Sequence, residues 1–355
     1  MKATGQIAGV VAFIVAVLLV PVVGKLCHRW SLFDWPGPLR IHSRPIPRLG
    51  GIAVAAAIAC GVLVTAQRFG ASTSASSFLA PFGLIWTVGL IDDLYGLSPV
   101  SRIAAHLAAG ALLWHAGWRV SALERGAPGL IVVCLFVAIF VNAMNLFDGA
   151  DGVAAGVSGI IGVAYIVLSG AANDVLASAL AWSLAGACAA FLCFNFPIAN
   201  IFGGDSASTA LGFAIAFLGL DFYRSRPATS ASLLIPLVVA GLPLLDTGLT
   251  VLRRLRNPRS LLYGDRAHFY DLLAARGWPP RRVALTCYLI TGGLSVIGWI
   301  GEQEGPMEFL ALAALGVGVL LIAAIRLGAL RLDPAERPSH KERVKSQRGV
   351  VGIPD

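Results

Sequence analysis

Apolar runs long enough to cross about 30 Å of hydrocarbon recur along the whole chain, and no other feature restricts its fold so tightly. Inside a bilayer every backbone polar group must be satisfied within the protein, so such runs are read as helices. In order they are Ile7 to Val23, Gly50 to Gln67, Phe78 to Ile91, Ile103 to Trp118, Gly129 to Leu146 and Val153 to Ser169. Val175 to Phe196, Ala207 to Phe222, Leu233 to Leu252, Val283 to Ile300 and Met307 to Leu327 follow. That predicts about eleven spanning helices. The short run Phe78 to Ile91 marks a place where the chain can dip into a recessed site.

Composition excludes a soluble enzyme with a single anchor. Over 355 residues the chain is 57% hydrophobic and 13% charged, where a soluble domain carries about 25% charged residues. Mean hydropathy is +0.78. The expected fold class is therefore all-α, a polytopic integral membrane protein, with one transmembrane domain over 1–330 and a flexible basic tail over 331–355. Lys2 before the first run resembles a signal peptide, but Lys25, Cys27, His28 and Arg29 follow instead of a cleavage site, so it counts as a span. The six cysteines form no CxxC pair and read as small buried residues.

Orientation follows from the basic residues. With the N-terminus outside, the inner loops hold Arg29, Arg40, Arg44, Arg48, Arg102, Arg253, Arg254, Arg256 and Arg266, and the C-terminal tail adds Arg331, Arg337, Lys341, Arg343, Lys345 and Arg348. Far fewer lie on the other side, among them Arg68, Arg119, Arg224 and Arg226. The positive-inside rule thus predicts an outer N-terminus and a cytoplasmic C-terminus. Topology accounts for the net charge of +8 without any nucleic acid. A basic inner face also attracts anionic headgroups and nucleotides.

Ionisable groups at membrane depth are costly and usually functional. Here they collect at the inner ends of helices: Asp92 and Asp93 in GLIDDLYGLSP, Asn142, Asn145, Asp148 and Asp151 in FVNAMNLFDGADG, and Asn195, Asn200 and Asp205 in FNFPIANIFGGDSAS. The loop YGDRAHFYDLLAARGW adds Arg266 and His268. Carboxylate oxygens suit magnesium, while guanidinium groups and backbone amides suit phosphate oxygens. Each piece has a plainer explanation. Asp-Asp at a helix end can be a solvated turn, the glycines beside Asp148 and Asp151 a helix break, His268 a structural histidine, and Arg253, Arg254 and Arg256 a topology signal alone. What outweighs these is that all four loops fall on one face, under a topology derived from Lys and Arg independently.

The same residues carry a resemblance. Asp92-Asp93-x-x-x-Leu97, Asn142-Ala143-x-Asn145-Leu146-x-Asp148-Gly149-x-Asp151-Gly152 and Phe202-x-Gly204-Asp205 resemble successive motifs of the polyprenyl-phosphate N-acetylhexosamine 1-phosphate transferases, glycosyltransferase family 4. The first inner loop, His42-x-Arg44-Pro45-x-Pro47-x-x-Gly50-Gly51, is similar too, so the likeness runs from about Leu32 to Trp278. It implies transfer of a sugar 1-phosphate from a UDP-N-acetylhexosamine to polyprenyl phosphate, with release of UMP. It places the protein in a bacterial inner membrane with its active site on the cytoplasmic face. Magnesium is the implied cofactor, with manganese as substitute, and a homodimer is compatible with the family. Asp205 resembles the metal ligand, with Asn145 beside metal or nucleotide. Phe202 resembles the aromatic that stacks on uracil, and Arg44, Asn142, Asp151 and Arg266 the substrate contacts. Asp92, Asp93, Asp148 and His268 resemble catalytic positions, Asp92 acting on the lipid phosphate.

Members that use UDP-MurNAc-pentapeptide carry consecutive histidines in the last large loop. Asp265-Arg266-Ala267-His268-Phe269-Tyr270 lacks them, which favours the UDP-GlcNAc branch. Two other classes fit the sequence less well. A transporter or flippase would place its polar groups near the midplane, and a CDP-alcohol phosphotransferase matches only Asp148-x-x-Asp151-Gly152-x-x-Ala155, with Gly156 where that signature has Arg.

Overall fold

A computed structural model describes residues 2–35, 44–119, 126–168, 174–226, 230–256 and 267–330 of the chain. Every predicted span is helical. The helices are α1 (Lys2–Trp30), α2 (Gly51–Arg68), α3 (Ser72–Tyr95), α4 (Pro99–His115), α5 (Ala127–Phe147), α6 (Val153–Leu168), α7 (Val175–Asn195) and α8 (Asp205–Arg224), then α9 (Ser230–Val239), α10 (Gly241–Leu255), α11 (Phe269–Ala274), α12 (Pro280–Gln303) and α13 (Pro306–Leu327). Among the described residues eight are long and apolar enough to cross a membrane. The protein is thus an all-α polytopic membrane protein. α4, with 17 residues, and α6, with 16, are shorter than a full crossing usually needs.

The ninth predicted span is two helices, not one. α9 stops at Val239 and α10 begins at Gly241, with Ala240 between them at φ −90° and ψ 17°. Pro243 has no N–H to give to a carbonyl one turn back, so a continuous helix would lose a bond here. Starting a new helix at Gly241 places that proline in the first turn, where the N–H has no intrahelical partner anyway. One small sheet departs from the all-helical expectation: β1 (Phe33–Asp34) pairs antiparallel with β2 (Ile46–Pro47).

At the centre stands α8, against α2, α3, α5, α6, α7 and α9. Its residues from Ser206 to Tyr223 are all buried. Small residues let the backbones approach closely; a Cβ on Gly212 would lie 2.7 Å from the Cα of Val141 on α5. Where α8 ends, a charge network ties four helices, α6, α7, α8 and α12. Arg224 pairs with Asp221 at 3.2 Å and with Asp174 at 3.3 Å, and its guanidinium lies 4.0 Å over Trp118. Asp174 also caps α7 by accepting from the amides of Leu176 and Ala177. Arg226 reaches Glu302 on α12 at 2.6 Å and the carbonyl of Leu168 on α6 at 2.5 Å. With α8 held at this end, its other terminus is a fixed platform.

Candidate functional site

The platform is the N-terminus of α8, the end at which a helix carries partial positive charge. The C-terminus of α3, which carries Asp92 and Asp93, abuts it. Two acids at the end of a helix oppose its dipole, and here the facing terminus of α8 offsets them. Asp93 accepts from the amides of Asp205 at 2.8 Å and of Ser206 at 3.0 Å, so it caps α8 from another helix. The N-cap residue itself, Gly204, has φ +73°, and a side chain there would run into the Asp93 carboxylate and the Arg48 carbonyl. Only glycine meets both demands.

Asp92 points the other way. Its Oδ1 accepts from the Leu97 amide at 2.5 Å, and its Oδ2 pairs with Arg102 Nη1 at 3.0 Å. Ser98, capping α4 through the Ser101 amide, and Pro99 in its first turn set the angle that brings Arg102 back. The same Nη1 lies 3.8 Å from Asp205 Oδ2. Asp205 Oδ1 in turn accepts from Asn145 Nδ2 at 2.7 Å, and that amide also reaches Ser208 Oγ at 3.1 Å. Asp92, Arg102, Asp205 and Asn145 thus form one chain of contacts drawn from α3, α4, α8 and α5.

A second group lies around the loop between α7 and α8. Arg44 donates to the Ala199 carbonyl at 3.3 Å and to Asn200 Oδ1 at 3.1 Å, while Asp151 accepts from the Ala199 amide at 2.9 Å. Asn195 links the Gly152 amide to the Ile201 carbonyl, each at 2.8 Å. Phe202 is clipped by backbone bonds, its amide donating to the Pro47 carbonyl at 2.7 Å and its carbonyl accepting from the Gly50 amide at 2.9 Å. The first loop, the loop after α5 and the loop before α8 are therefore one assembly. Asp148 joins both groups: its Oδ2 stands 3.9 Å from where a Cβ on Gly203 would lie. Protein crowding and the Asp93 and Asp151 charges push its carboxyl up to about 7. Since the residue itself remains exposed, the direction of that shift rests more on the two like charges than on burial.

His268 stands at the N-cap position of the short helix α11 and is buried. Its Nδ1 lies 2.6 Å from Asp246 Oδ2, and Asp246 Oδ1 accepts from the Phe269 amide at 2.7 Å. Tyr270 stacks on the imidazole with centroids 5.5 Å apart, and its hydroxyl donates to the Leu146 carbonyl at 3.3 Å, beside the Asp148 loop. Asn142 sits one turn deeper on α5 than Asn145 and is half-buried. Arg266 and His42 lie outside the described residues.

Three residues of this region carry more than their sequence pattern indicated. Arg102, counted among the topology charges, bridges the two acids. Asp246 was visible as an acid inside an apolar run, PLLDTGLT, the signature of a costly and hence functional placement. Arg253, read as a topology signal, is buried and holds the Ala267 carbonyl at 3.2 Å and the Ala329 carbonyl at 2.6 Å.

Among the described residues no three His, Cys, Asp or Glu side chains converge on one point. Magnesium does not require that, since it is commonly held by one or two carboxylates with substrate phosphates and water filling the rest. Asp205 fits that pattern, and Asn145 would offer its carbonyl oxygen if the amide were turned.

A profile described as glycosyl transferase family 4 matches residues 75–223, a range that holds Asp92, Asp93 and Asp205 of the α3–α8 junction. A probable undecaprenyl-phosphate N-acetylglucosaminyl 1-phosphate transferase of Bacillus subtilis is 31% identical over 79% of this chain and 81% of its own length. The decaprenyl-phosphate N-acetylglucosaminephosphotransferase of Mycolicibacterium smegmatis is 32% identical over 94% and 91%. A phospho-N-acetylmuramoyl-pentapeptide-transferase of Desulforudis audaxviator is 27% identical over 83% and 97%.

Proposed function

Because the chain belongs to glycosyl transferase family 4, we propose that it transfers N-acetylglucosamine 1-phosphate from UDP-GlcNAc to a polyprenyl phosphate and releases UMP. The observation that carries this reading is the convergence of Asp92, Arg102, Asp205 and Asn145 from four helices at one end of a membrane bundle. The two relatives reported above that are named for N-acetylglucosamine transfer are also more similar than the muramoyl-pentapeptide transferase reported with them. The whole domain over 1–330 serves this one reaction, on the cytoplasmic side of a bacterial inner membrane.

In the step itself, an oxygen of the lipid phosphate attacks the sugar-linked phosphorus. The bond from that phosphorus to the bridging oxygen breaks, and the bridging oxygen leaves as part of UMP. One phosphoanhydride is made as another is broken, so positioning and charge neutralisation carry the catalysis. Arg44, Asp151 and Phe202 hold the uridine half, Phe202 by stacking on the base. Asp92 and Arg102 receive the lipid phosphate, the guanidinium neutralising charge while the carboxylate sets its orientation. Asp93 acts by keeping α8, and hence Asp205, in place. Magnesium, held by Asp205 with Asn145 beside it, would supply further neutralisation of the diphosphate when bound.

The direct test is purified protein with polyprenyl phosphate, magnesium and a panel of UDP-sugars, read by UMP release and mass spectrometry of the lipid. UDP-GlcNAc is expected to give both products and UDP-MurNAc-pentapeptide neither. Turnover of the pentapeptide substrate, or CMP formation from a CDP-alcohol, would defeat the assignment. Orientation has its own check in a cysteine-free background. A membrane-impermeant thiol reagent applied outside should reach a cysteine at the exposed Ser74 and miss one at the exposed Ser98, which lies beside Arg102. The reverse labelling pattern would turn the protein over.

A further inference from the structure

α10 places Asp246, Thr250 and Arg253 at spacings of four and three residues, so they share one face, and all three are buried. An acid there persists only if its oxygens are satisfied, and both are: Oδ2 by His268 Nδ1 at 2.6 Å and Oδ1 by the Phe269 amide at 2.7 Å. Arg253 fixes the carbonyl of the residue before His268, and Tyr270 stacks on the imidazole within 9° of parallel. The histidine is thus held from both sides in sequence and across its ring face. Tyr270 carries the clamp to the end of α5, two residues before Asp148.

We propose that Asp246 is a positioning residue for the transfer reaction. It keeps the imidazole proton on Nδ1 and fixes the ring plane, so that His268 acts through Nε2. This rests on the transferase reading of the neighbouring site. The Phe269 amide can only donate and so commits one oxygen of residue 246. In Asp246→Asn the single carbonyl oxygen goes to that amide. The NH₂ group then faces His268 Nδ1, which must accept, and the ring proton moves to Nε2. Shape is nearly unchanged while the tautomer is reversed, the kind of change that disables a carboxylate-oriented histidine.

The test combines a spectrum with kinetics. In protein labelled with ¹⁵N-histidine, the ring signals lost in His268→Gln identify His268. Wild type should carry its proton on Nδ1, and Asp246→Asn on Nε2. A wild-type His268 protonated on Nε2 alone overturns the proposal without reference to any variant's folding. Kinetically, Asp246→Asn should lower kcat about 100-fold, the low end for an acid–base or orienting group, with KM for the UDP-sugar within about threefold. The Asp246→Asn/His268→Gln double variant should be no slower than His268→Gln alone. Independent, multiplying losses would make Asp246 merely structural. A wild type that releases no UMP defeats the transferase reading, whereas an active wild type with an equally active Asp246→Asn variant defeats only the positioning role.

Discussion

Asp205→Asn should lower UMP release by about a thousandfold, because neutralisation of a diphosphate by a bound cation contributes several kcal/mol and each 1.4 kcal/mol is a factor of ten. The substitution keeps the shape of the side chain, and an amide oxygen can still accept from Asn145 Nδ2, 2.7 Å away in the wild type. What is lost is the full negative charge that a hard cation requires. UDP-sugar binding should therefore become insensitive to magnesium while its uridine-dependent part persists, since Arg44, Asp151 and the clipped Phe202 do not depend on Asp205. Calorimetry in detergent with and without magnesium reads this directly. Magnesium-stimulated binding in the variant would remove Asp205 from the metal site.

Asp92→Asn is expected to reduce turnover by a similar factor through a different route. Its carboxylate orients Arg102 at 3.0 Å and is itself fixed by the Leu97 amide. Without that charge the acceptor phosphate loses its reference point. The motif pattern implies clean separation, with Asp205 for metal and Asp92 for lipid, but the shared guanidinium nitrogen qualifies it. Freed from Asp92, Arg102 turns on Asp205 alone and competes there with the cation. Magnesium stimulation of UDP-sugar binding should thus survive in this variant but need about tenfold more metal. Adding Arg102→Met should restore the original magnesium dependence without restoring turnover. Complete loss of magnesium-stimulated binding in the single variant would make the two acids one indivisible site.

The helical segments were legible because apolar length is a local property, and each predicted span coincides with a helix or, for the ninth, a pair. The break at Ala240 had a local sign in Gly241 and Pro243, but Pro21 lies inside the unbroken α1, so proline alone does not mark a stop. The site was legible as a set of loops and not as a division of labour. Asp92 and Asp93 are adjacent in sequence, yet one caps α8 and the other holds Arg102. That difference arises only when the ends of α3 and α8 meet. Arg102 and Asp92 are ten residues apart across a turn, a spacing to which no helical period assigns a contact. The partnership of Asp246 with His268 depends on how α10 and α11 pack, although the acid's presence in an apolar run was a signal on its own.

The burial of α8 along its length has a consequence for how the reaction relates to the lipid around it. Bilayers differ in thickness by several ångströms, and a helix exposed to lipid answers by tilting or bending. Within its most apolar stretch α8 is wholly buried, whereas α13 is 22% buried and α1 33%. Those outer helices act as a gasket that takes up the mismatch. α8 has no hydrocarbon boundary to match, and the charges at Asp174, Arg224, Arg226 and Glu302 tie its far end to protein. The depth of Asp205 is accordingly set by its neighbours and not by the membrane, and the same catalytic register is kept in thin and thick bilayers alike.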